Sequence, residues 1–127
     1  MAGFEGTGFL PGRFPIDAYG NGGFRFADMS HRGSILVLPT GIRAWDVTDP
    51  RRIDRTALRP VQAEADAIEL LLVGTGADIV PLAPDLRVWL KDMKVGLDVM
   101  QTGAAARTYN ILAGENRKVA AALIAVA

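Results

Sequence analysis

The sequence predicts an α/β domain in which helices cover a mixed β-sheet. Short apolar runs closed by glycine or proline occur at Ser34–Leu38 and Ile68–Val73, as expected of strands buried on both faces. From Ile68 onward such runs alternate with stretches of helical period, in the order strand, helix, strand, helix, strand. The chain has 127 residues, and domains commonly run to roughly 100–150, so one core is expected.

Residues 1–13 are rich in glycine and bury little for the backbone entropy they would lose on ordering. They read as a flexible tail ahead of a domain over residues 14–127. Ile16–Tyr19 and Phe24–Phe26 flank Gly20-Asn21-Gly22-Gly23, residues that tolerate positive φ, and predict an N-terminal β-hairpin. Ser34–Leu38 (SILVL) reads as a buried strand, and Ile42–Val47 (IRAWDV) as a half-exposed one because it alternates. Ala57–Ala67 predicts a helix in which Pro60 either sits in the first turn or begins a separate helix. Ile68–Val73 (IELLLV) predicts a central strand. Leu86, Trp89, Leu90 and Met93 fall at i, i+3, i+4 and i+7 and predict a helix over 84–94 with one buried face, ended by Gly96. Leu97–Met100 follows as a strand parallel to the one before it. Thr102 is placed to N-cap a helix that ends at Gly114, and the apolar run from Val119 supplies a last strand.

Composition excludes several kinds of chemistry. There are no cysteines and one histidine, His31, so disulfides, thiol catalysis and multi-His or Cys-ligated metal sites are out. Fourteen basic and fourteen acidic residues cancel, removing the long-range field of a nucleic-acid or anionic-membrane binder. The longest apolar run, Val119–Ala127, is far short of the ~20 residues that cross a bilayer. The start of the sequence has neither the apolar block of a secretory signal nor the Arg-rich pattern of a transit peptide. The expected compartment is the cytoplasm of a prokaryote.

Two clusters invite a functional reading. Gly74-Thr75-Gly76 leaves a predicted strand directly; it reads as a tight turn, or as a loop whose N–H groups approach an anion. It has neither a full GxGxxG nor a Walker lysine. Thr102, Arg107, Asn110 and Arg117 gather on and after the next helix. If the two strands are parallel neighbours, Thr75 and Thr102 stand at their carboxyl ends, where α/β proteins form ligand crevices, and two guanidiniums could hold a carboxylate or phosphate. The structural alternative is that Thr102 caps, Asn110 bonds backbone, and Arg117 pairs with Glu115 or the helix end. The pairs Asp46/Asp49 and Asp92/Asp98 read as solvated charge, and His31 as a turn residue. Arg51, Arg52, Arg55 and Arg59 form the one basic concentration. Residues 51, 55 and 59 would share a face on a helix, but acids are interleaved and stacking aromatics are missing, which argues against nucleic acid. Arg51, Arg52 and Arg55 read better as the rim of a protein interface.

LLLVGTG (Leu70–Gly76), VMQTGAAARTYNIL (Val99–Leu112) and NRKVAAAL (Asn116–Leu123) stand in the order and spacing of the Mth938-like family, which the chain resembles from about Phe14 onward. The resemblance implies a single three-layer α/β domain with a central mixed sheet. It implies no catalytic residues, metal or cofactor. The family includes assembly factor 3 of mitochondrial complex I, and such relatives resemble binding partners in an assembly pathway rather than enzymes. The family positions Gly74, Thr75, Gly76, Thr102, Ala106, Asn110 and Arg117 map onto this chain without assigned roles. The expectation is therefore a noncatalytic protein-interaction or assembly-factor-like module with an unidentified protein partner. The alternative is binding or turnover of a small anionic ligand near Thr75 and Thr102.

Overall fold

The computed structural model describes residues 8–127. A six-stranded mixed sheet is built from β1 (Phe9–Pro11), β5 (Ser34–Leu38), β6 (Gly41–Trp45), β7 (Leu70–Gly74), β8 (Gly96–Met100) and β9 (Val119–Leu123), in the order β1-β6-β5-β9-β7-β8. A separate three-stranded sheet holds β2 (Ala18–Gly20), β3 (Gly23–Phe26) and β4 (Met29–Arg32). The helices are α1 (Arg59–Ala63), α2 (Pro84–Asp92) and α3 (Thr102–Gly114). β7 runs parallel to both β8 and β9, whereas β5 is antiparallel to β6 and β9.

The period-2 alternation of a strand sorts the central apolar runs into two cores. Leu36, Leu38, Leu71, Val73, Ala120 and Ala122 face the layer of α1 and α2, joining Val61, Leu86 and Leu90. Ile35, Val37, Leu72, Ala121 and Leu123 face the opposite layer, joining Ala105, Ala106 and Tyr109 of α3 and Phe24 and Phe26 of β3. The result is three layers around the large sheet. Leu90 is fully buried, as its place on the helical stripe predicts. Burial raises the Tyr109 hydroxyl pKa above its ordinary value, a shift moderated by Arg13.

The expected classes of element are present, with local differences. The hairpin turns through Asn21 and Gly22, both at positive φ, but continues into a third strand through a second tight turn at Ala27-Asp28, also both at positive φ. His31 therefore lies in β4 and not in a turn. Residues 1–7 of the expected tail lie outside the described residues; Phe9–Pro11 pair with β6, so the sheet begins ahead of the boundary expected at residue 14. The helix expected over 57–67 is α1 followed by a 3-10 turn at Ala65–Ala67, and Pro60 does sit in its first turn. Pro50–Arg52 form a separate 3-10 turn, so Arg51, Arg55 and Arg59 share no helix face.

The helix ends also differ. Gly96 opens β8 rather than closing α2. Lys94, at φ 63°, takes the left-handed position, with its N–H on the Lys91 carbonyl and the Val95 N–H on the Leu90 carbonyl. Asn116, at φ 61°, does the same after α3, with the Arg117 N–H on the Leu112 carbonyl. Both are Schellman closures that satisfy orphan carbonyls without glycine.

Candidate functional site

Thr75 and Thr102 do come together at the carboxyl ends of β7 and β8, and both are buried. Thr102 is the first residue of α3 and not its N-cap; Gln101 holds that position without a side-chain capping bond. Thr102 Oγ1 donates to the Ile124 carbonyl at 2.6 Å and accepts from the Gly76 N–H at 2.9 Å. The Thr102 N–H in turn donates to the Gly76 carbonyl, and the Ile124 N–H to the Gly74 carbonyl. One hydroxyl thus ties together the turn after β7, the end of β9 and the start of α3. Thr75 Oγ1 donates to the Asp78 carbonyl at 2.6 Å and accepts from the Val80 N–H, folding the loop after β7 onto itself. Gly74 permits the approach, since a Cβ there would stand 2.8 Å from Thr102 Cα.

The other residues singled out on the sequence lie around α3 and bond within the chain. Asn110 bridges the backbone of Ile16, accepting from its N–H and donating to its carbonyl, each at 2.8 Å. Arg107 Nη1 donates to the Tyr19 hydroxyl at 3.2 Å. Arg117 pairs with Glu69 at 3.1 Å, not with Glu115, and its hydrogen bond holds the Glu69 carboxyl below the usual carboxylate range. These contacts fasten the segment before β2 and the start of β7 to α3 and its exit. Ala106 is buried against the sheet.

The arginine rim is partly engaged. Arg51 is paired with Asp49 at 3.1 Å, and the same carboxylate caps the 3-10 turn by accepting from the Arg51 N–H. Hydrogen bonding from Arg51 lowers the Asp49 pKa. Arg55 lies 5.7 Å from the Trp89 ring centroid, within range of a cation–π contact. Arg52 is exposed.

Sequence reasoning missed the solvent face of the three-stranded sheet. A groove of about 500 Å³ runs over it, lined by Ala18, Asn21, Arg25, Ser30 and Arg32 among others. Its signal was weak, because Met29-Ser30-His31-Arg32 carries little apolar alternation and Ala27-Asp28 is an atypical pair for a tight hairpin turn. Two smaller clefts flank α3, one of about 330 Å³ between Asp17, Tyr19 and Arg107 and one of about 240 Å³ under Phe14 and Tyr109. Among the described residues no group of three His, Asp or Glu side chains converges as a metal site would require. No helix there is long and apolar enough to cross a membrane.

Comparison with known proteins extends these observations. A family model described as protein of unknown function (DUF498/DUF598) matches residues 16–124. An uncharacterized protein of Rhodobacter capsulatus is 43% identical over 113 residues, covering 89% of this chain and 86% of that one. The NADH dehydrogenase [ubiquinone] 1 alpha subcomplex assembly factor 3 of Xenopus tropicalis is 32% identical over 109 residues, covering 86% of this chain and 60% of its own length. A crystal structure of a Bartonella henselae protein, described as an outer membrane protein, superposes with a TM-score of 0.89 at 53% identity, covering 93% of this chain and 99% of that one. A Bordetella pertussis protein described as a Mth938-like domain gives a TM-score of 0.77 at 31% identity, over 88% and 85% of the two chains.

Proposed function

This chain belongs to the DUF498/DUF598 family, with the Mth938-like fold, and on that premise we propose that it works as a noncatalytic protein-interaction module of assembly-factor type. The likeness to assembly factor 3 over most of this chain carries the reading. The arrangement of the polar residues supports it, because Thr75, Thr102 and Asn110 hold backbone segments in place and Arg107 and Arg117 already have partners. What such a scaffold offers is surface. Arg51, Arg52 and Arg55 form one candidate contact rim, and arginine is a common interface anchor.

The test is capture of a partner on the immobilised protein, followed by reconstitution of the complex from purified components. The expected result is a defined complex that survives purification. Replacing Arg51, Arg52 and Arg55 with alanine, with the melting transition unchanged, decides whether that rim is the contact. A metabolite that raises the melting midpoint of the parent but not of a folded Arg107→Ala protein would replace this reading with the small-anion one, since a ligand at 100 times its dissociation constant adds about 2.7 kcal/mol. The location proposed with the reading is the prokaryotic cytoplasm. Fractionation with the outer membrane, the place named for the Bartonella protein, would reject it.

A further inference from the structure

The three-stranded sheet turns Tyr19, Phe24 and His31 to one side and Ala18, Arg25 and Ser30 to the other, in cross-strand register. Phe24 and Phe26 are buried against the large sheet, and Ala18, Arg25, Ser30 and Arg32 are exposed on the far side. Arg25 Nη1 donates to Ser30 Oγ across the strands at 2.9 Å, which orients the guanidinium before any partner arrives. Arg32 Nη1 reaches the Asn21-Gly22 turn, 3.5 Å from where a Gly22 Cβ would stand. Arg32 is opposite Gly23, two residues along β3 from Arg25, so the two arginines are diagonal neighbours about 7–8 Å apart at the backbone. Among the described residues no carboxylate lines the groove between them; Asp17 lines the separate cleft along α3.

We infer that this groove binds an extended acidic segment of a partner protein, with Arg25 and Arg32 each taking one carboxylate. The spacing fits, because side chains two apart on an extended strand stand about 6.5–7 Å apart on one face. Guanidinium pairs carboxylate in a planar fork, so each contact is directional as well as electrostatic. A nucleic acid fits less well, since single-strand binders add stacked aromatics. Here the Phe24 ring is buried, and Tyr19, though exposed, turns to the side opposite Arg25 with the end of its ring against Gly103 of α3. The inference rests on the interaction-module reading and names the chemistry of its partner.

The probe is a fluorescein-labelled octapeptide of alternating Glu and Thr, followed by anisotropy, with its Lys-for-Glu counterpart and inorganic phosphate as controls. The acidic peptide should bind and the basic one should not, and affinity should fall as salt rises. A double Arg25→Glu, Arg32→Glu protein should lose about tenfold or more in affinity. Both side chains are exposed, so its melting transition should stay native; Ala18→Glu, which sets a competing carboxylate opposite Arg25, should weaken binding as well. No peptide binding at millimolar concentration, binding unchanged in the folded reversal protein, or phosphate outcompeting the peptide at equal concentration would each overturn the inference. A reconstituted partner complex that forms equally well with the reversal protein would leave the interaction module standing and remove this groove from it.

Discussion

Thr102 and Gly103 are consecutive residues at the start of α3, and they receive opposite kinds of neighbour. Thr102 is fully buried, its hydroxyl shared between backbone groups of the turn after β7 and of the residue that follows β9, with Gly74 pressed against its Cα. Gly103 instead receives the side chain of Tyr19, an exposed residue of the small sheet whose hydroxyl also accepts from Arg107. The first contact is backbone against backbone and cannot yield without moving strands. The second is the far end of a side chain on a surface, and it can swing away. One helix end therefore anchors the central sheet rigidly and holds the small sheet by a replaceable contact.

The largest expected effect tests the rigid side. Thr102→Val keeps the shape and deletes the hydroxyl, leaving the Gly76 N–H and the Ile124 carbonyl without their partner. At about 1–3 kcal/mol for each of the two buried unpaired groups, the loss should be about 2–6 kcal/mol. Urea denaturation measures it, and Thr102→Ser should recover most of the loss. A valine protein as stable as the parent would show that the hydroxyl does not tie the junction.

Gly74→Ala comes next. Its Cβ would stand 2.8 Å from Thr102 Cα and 3.1 Å from Leu123 Cδ2, and overpacking of this kind costs about 1–3 kcal/mol. A midpoint within a degree of the parent would mean that β7 and α3 can part cheaply, erasing the contrast.

Gly103→Ala should do far less. The new methyl collides with the Tyr19 ring, but Tyr19 is 43% exposed and can turn outward by giving up its hydrogen bond from Arg107, while alanine gains up to about 1 kcal/mol over glycine within a helix. The net change should lie within about 0.5 kcal/mol of zero, the two terms offsetting. In a Tyr19→Ala background the same substitution should be plainly stabilising. Equal effects in both backgrounds would show that the ring does not matter to the helix end.

The smallest effect concerns His31, whose pKa is lowered by burial and partly restored by a backbone hydrogen bond involving Ser34. A folded pKa below the unfolded one means that the unfolded chain binds the proton more readily. The contribution is therefore present above the unfolded value, near 6.5, and is lost as pH falls through the lower folded value. The melting midpoint should decline slightly on acidification below about pH 6.5, and His31→Gln should flatten that decline. An unchanged slope in the variant would assign the acid sensitivity to carboxylates.

Much of the scaffold was legible because its signals are local. Ser34–Leu38 and Leu70–Gly74 are apolar runs bounded by turn residues, Leu86 and Leu90 repeat at helical spacing, and Asn21-Gly22 forms the tight turn that its residue types favour. β4 escaped because Ser30 and Arg32 face solvent and its turn uses Ala27 and Asp28. The candidate residues were legible as types but not as contacts. Asn110 finds Ile16 across 94 positions, and Arg117 finds Glu69 across 48.

The class of fold, the central strands and α2 follow from residue order alone, since burial and period are properties of short windows. Residue order also carries the family, through three segments whose order and spacing are readable along the chain. That Thr102 joins the exits of two strands instead of capping its helix, and that Arg25 and Arg32 share an open face, depends on how the folded elements meet. A hydroxyl or guanidinium can serve many partners, and which one it meets depends on sheet order and register. Those are settled when β7, β8 and β9 align beside one another, with the small sheet laid against α3.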